Sequence, residues 1–67
     1  MTYMGRDEIL AAEVGVTGIT RLIDGVLFEL VVGDVGAYGW TAWDDIERSG
    51  MRSSVSEEDA HNLGLAT

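Results

Sequence analysis

The chain contains no lysine, no cysteine and no proline, and a single histidine. Each absence closes off some chemistry. Without cysteine there is no disulfide framework and no thiolate zinc site. His61 by itself is too little for an ordinary imidazole site. Without lysine, the only cationic side chains are Arg6, Arg21, Arg48 and Arg52, set against 12 Asp and Glu. The resulting net charge of −8 over 67 residues excludes direct binding of nucleic acid through its phosphates, which requires a cationic face. No apolar run approaches the roughly 18 residues of a membrane span. Residues 1–5 have no basic stretch leading into an apolar one, so neither a secretory signal nor a membrane partner is expected. The lack of cysteine fits a cytoplasmic location.

What remains is apolar enough to fold. Hydrophobic residues make up 46% of the chain, and β-branched and aromatic side chains oppose the signature of disorder. Residues 1–67 suffice for one small acidic domain. A chain this short buries only about 60% of its unfolded surface. With disulfides and metals set aside, a second copy or a larger partner is the remaining source of extra stability.

The order of residues predicts an α+β fold: a small antiparallel meander of three or four strands with a short helix at each end. Asp7–Val14 has helical character, with Asp7 and Glu8 at the end where a helix favours negative charge and Gly15 as its stop. Ile19–Ile23, Asp24-Gly25 and Val26–Val32 form the pattern of a hairpin with a two-residue type I′ turn. That turn pairs Ile23 with Val26, Arg21 with Phe28 and Ile19 with Leu30. Gly33–Gly36 is expected to turn the chain again into a third strand, Ala37–Asp44. A polar loop spans Asp45–Gly50, and Met51–Val55 is a candidate fourth strand. Ser56 is placed to cap a C-terminal helix, with Asp59 at the capping-box position. Leu63, Gly64 and Leu65 close it.

Strand alternation sorts these residues onto two faces. One collects Ile19, Ile23, Val26, Phe28, Leu30, Val32 and Trp43, an ordinary core face. The other collects Leu22, Leu27, Val31, Tyr38, Trp40 and Ala42, interrupted by Thr20 and Glu29. On this assignment Tyr38 and Trp40 become candidate partner contacts, because both residue types combine a large apolar body with one polar handle.

No motif supports catalysis or a cofactor. Gly33, Gly36 and Gly39 lack the spacing of a nucleotide fingerprint, no lysine follows, and a strand comes next. Asp44, Asp45 and Glu47 do not follow the alternation of a calcium loop. His61 and the nearby Ser53, Ser54 and Ser56 are chance composition with no triad pattern. The chain is therefore expected to be a binding protein with no catalytic residues, metal or cofactor.

Two acidic clusters stand out: Asp44, Asp45 and Glu47, and Glu57, Glu58 and Asp59. A rigid body studded with carboxylates can occupy sites built for phosphates and steer its own encounter with a cationic protein. In size, charge and compactness the chain resembles phage-encoded anti-defence proteins such as anti-CRISPR proteins and uracil-DNA glycosylase inhibitors, without sharing a motif with them. The resemblance implies an inhibitor of a basic nucleic-acid-binding protein acting by electrostatic and steric block. The alternative is a self-associating structural or accessory domain, a possible homodimer, whose acidity serves solubility or halophily.

Overall fold

A computed structural model describes residues 2–5, 9, 15–33, 36–48 and 50–65. Among the described residues four strands, β1 (Gly15–Ile23), β2 (Val26–Val32), β3 (Tyr38–Trp43) and β4 (Arg52–Val55), are followed by the helix α1 (Glu57–Asn62). The strands pair in sequence order, each antiparallel to the last, as a meander. The expected N-terminal helix, Asp7–Val14, falls outside the described residues except for Ile9, whose amide donates to the Gly5 carbonyl at 3.0 Å.

The first hairpin forms at its expected turn. Asp24 (φ 50°) and Gly25 (φ 79°) both take positive φ, as a type I′ turn requires. Ile23 pairs with Val26 and Arg21 with Phe28. The expected pairing of Ile19 with Leu30 does not form, because the register shifts between Val16 and Thr20. Three residues, Thr17 to Ile19, stand there against Leu30, and Gly18 supplies the positive φ (81°) that lets the chain bulge.

The second turn is one residue longer than expected, and this reverses the faces of β3. Val32 pairs with Tyr38, not Ala37. The intervening loop closes through Gly33 N–H donating to the Ala37 carbonyl at 2.8 Å. A one-residue slip sends every side chain of a strand to the opposite face. Trp40, expected on an open contact face, is 1% exposed and lies in the main core with Phe28, Val55, Ala60 and Leu65. Trp43, expected in that core, lies half-buried on the other face.

Helix α1 covers the Trp40 face through Ala60 and is tied off at both ends. Ser56 Oγ accepts from Asp59 N–H at 3.2 Å. Beyond the last turn, Gly64 N–H reaches the His61 carbonyl at 3.1 Å and Leu65 N–H the Ala60 carbonyl at 2.8 Å. This is the paired closure of a Schellman motif, with Gly64 in the left-handed region (φ 75°). It folds Leu65 back against Ala60 in the core.

Residues 2–4 lie along β3 beyond the end of β4. Tyr38 N–H donates to the Thr2 carbonyl at 2.9 Å and Met4 N–H to the Tyr38 carbonyl at 2.7 Å. Met4 and Ile9 pack with Val31 in a second, smaller core. Ile9 Cδ1 would lie 2.7 Å from a Cβ at position 39, so Gly39 leaves the room that this packing fills. The Tyr3 hydroxyl accepts from Trp40 N–H at 3.1 Å and donates to the Val55 carbonyl, bridging the last β3–β4 pair. Burial holds the Tyr3 phenol above its ordinary pKa of 10.0.

Candidate functional site

The two acidic clusters lie at opposite ends of β4. Asp44, Asp45 and Glu47 belong to the β3–β4 loop, and Glu57, Glu58 and Asp59 form the first turn of α1. The four residues of β4, Arg52–Val55, span about 13 Å at the usual strand rise. Asp44, Glu47, Glu57, Glu58 and Asp59 are exposed and Asp45 is half-buried. The helix cluster also has a local role, since carboxylates in a first turn complement the helix dipole.

The loop bearing the first cluster is tightly built. Asp44 N–H donates to the Met51 carbonyl at 3.1 Å, and Arg48 N–H to the Asp45 carbonyl at 3.3 Å. The Asp44 carboxylate packs so closely on Gly50 that a Cβ there would lie 1.9 Å from Oδ1. Only glycine fits. Ile46 (67%) and Met51 (78%) project into solvent beside the carboxylates.

Of the two aromatic residues expected at a contact surface, Trp40 is buried and Tyr38 is half-buried. Trp40 is enclosed by the core. Tyr38 has its ring edge-on to Tyr3, 5.3 Å between centroids. The aromatic residue beside the acidic loop is Trp43, the last residue of β3. Leu22, Leu27, Trp43 and Arg52 are successive cross-strand neighbours, forming one row across all four strands.

The next row carries a group whose role was missed in the sequence. Thr20, Glu29, Thr41 and Ser54 are successive neighbours across the sheet, and the Glu29 side chain is 0% exposed. Its Oε2 accepts from Gly18 N–H at 3.1 Å and from Arg48 at 2.8 Å, and its Oε1 accepts from Trp43 Nε1–H at 3.0 Å. One carboxylate thus joins the β1 bulge, β3 and the acidic loop. The signal was a lone Glu inside Val-Leu-Phe-Glu-Leu-Val-Val. A carboxylate inside such a strand must find partners if it is buried.

His61 is exposed on α1, and no group of three or more potential metal ligands occurs among the described residues. None of the described helices is long and apolar enough to cross a membrane. The chain matches no protein-family model, curated protein or solved structure.

Proposed function

We propose that the protein is a small acidic inhibitor that binds a basic nucleic-acid-binding protein and blocks its nucleic-acid site by mimicking phosphates. It is a binding protein and not an enzyme, of the kind represented by phage-encoded anti-CRISPR proteins, and it acts in the cytoplasm. The observation that carries this reading is the placement of charge. The net charge is −8, and exposed carboxylates stand at both ends of β4 on short, well-tied segments. One of the four arginines, Arg48, is already paired with buried Glu29, so it does little to offset those carboxylates. Preformed carboxylates reach a cationic groove with little ordering cost. Trp43, at the root of the acidic loop, takes the aromatic contact role first assigned to Tyr38 and Trp40.

The experiment is a displacement assay. Basic nucleic-acid-binding proteins from the host are loaded with labelled DNA or RNA, and the protein is titrated in at low salt and again at high salt. The expected result is release of nucleic acid from a specific target, weakening steeply as salt rises. Asp44→Asn with Glu47→Gln should lower potency without lowering the melting temperature, and Glu57→Gln with Glu58→Gln should lower potency with at most a small fall in it, from the lost helix-dipole interaction. Equal potency of both double variants at low salt would reject phosphate mimicry.

A second reading is favoured by β1, an edge strand exposing Val16 (57%), Ile19 (47%) and Leu22 (62%). Such a surface suits self-association, with the acidity serving solubility or halophily. Sedimentation equilibrium separates the two readings. A homodimer of chains this acidic should strengthen with salt, whereas binding to a cationic target should weaken.

A further inference from the structure

The Glu29 carboxylate has the design of a cation site, not of a simple structural pair. It is fully enclosed, yet its cationic partner sits on a surface loop with 44% of the side chain exposed. Arg48 holds it through one nitrogen, at 2.8 Å from Oε2. A guanidinium can grip a carboxylate through two nitrogens at once, and among the described residues Oε1 accepts from the Trp43 indole and not from Arg48, whose bond goes to Oε2. Arg48 also sits in the left-handed region, φ 60°, which residues with a Cβ adopt reluctantly. This conformation, at the close of the Asp45–Arg48 turn, sets Arg48 over the buried carboxylate.

We propose that Glu29 is the floor of a guanidinium-binding site, filled in this conformation by Arg48 and open to an arginine of the target protein when Arg48 swings out. The Gly18 amide and the Trp43 indole keep the carboxylate oriented during the exchange. The exposed Asp44 and Glu47 then attract the incoming cation over longer range. The second half of the proposal rests on the inhibitor reading above, and the first half stands without it.

Arg48→Gly empties the site and relieves the left-handed strain. Methylguanidinium at millimolar concentration should then raise the melting temperature of Arg48→Gly saturably. It should also return the Trp43 indole resonance in a proton–nitrogen correlation spectrum toward its parent position. The Trp40 indole, which has no hydrogen-bond partner among the described residues, should stay still. Methylammonium should do less, and the doubly substituted Arg48→Gly/Glu29→Gln protein should show no such response. An equal response from the double variant, or none from Arg48→Gly, would overturn the proposal. If Arg48→Gly is unfolded alone, methylguanidinium must fold it, and failure to do so is equally fatal.

Oligo-arginine and oligo-lysine of equal length test the exchange. The parent should prefer oligo-arginine several-fold, and Glu29→Gln should lose that preference while still binding both peptides. Preference retained in Glu29→Gln would overturn the exchange. Substitutions in the exposed acidic clusters should weaken both peptides alike. That result bears on the inhibitor reading and leaves the guanidinium site intact.

Discussion

The tryptophans, three residues apart in β3, lie in opposite environments. Trp40 is enclosed among Phe28, Val55, Ala60 and Leu65, so Trp40→Ala should cost about 3–5 kcal/mol, as large core truncations do. Trp43 is half-buried and gives its indole hydrogen to Glu29. With Trp43→Phe, the remaining Trp40 fluorescence should be blue-shifted and resist acrylamide. With Trp40→Phe, the remaining Trp43 should be redder and readily quenched. The reverse pattern would mean that β3 is out of register by one residue. Tyr3 offers a second test. Its hydroxyl bridges Trp40 and Val55, and Tyr3→Phe strands both groups at a cost of about 1–3 kcal/mol. The folded phenol ionises above 10.0, so the native state holds a proton that the unfolded chain gives up first. Its contribution is complete below pH about 10 and is lost as pH climbs through the folded value. Urea melts from pH 9 to 11 should show stability falling at the top of that range, with a shallower fall in Tyr3→Phe.

At the scale of elements, legibility followed how local each signal was. The Asp24-Gly25 turn and the Ser56 cap are decided by residues adjacent in sequence, and both occur where the sequence places them. Ser56→Ala should therefore cost about 1 kcal/mol, read from thermal melts. No loss would mean that α1 is held only by Ala60 and Leu65. The β2–β3 connection was less legible. Gly33, Gly36 and Gly39 all offer turn chemistry, and nothing local separates a four-residue from a five-residue loop. What selects the longer loop is tertiary: it sends Trp40 toward Ala60 and Leu65 and sets Gly39 under Ile9. The β1 bulge was hidden for a similar reason. Gly18 lies just before the expected strand Ile19–Ile23, and its amide is fixed by a carboxylate 11 residues away in sequence. Glu29 was visible as an oddity in an apolar strand, but its partners Arg48 and Trp43 come together only once the sheet has formed.

For the whole molecule, charge divides into two roles. Glu29 is internal and paired, and its replacement should disturb the structure around Trp43 and Arg48. The exposed clusters crowd like charges, so reducing the loop cluster should leave stability unchanged or slightly higher, while in the helix cluster relief of repulsion is set against lost attraction to the helix dipole. Under the proposed function they act on a partner. The most direct test of that claim is the salt dependence of inhibition, measured as the concentration needed to displace nucleic acid from the target across a series of salt concentrations. Potency should fall steeply with salt. Each double variant, Asp44→Asn with Glu47→Gln or Glu57→Gln with Glu58→Gln, should flatten that dependence, and at least one should lose about tenfold at low salt, roughly 1.4 kcal/mol. Potency indifferent to salt, or unchanged in both variants, would contradict that claim.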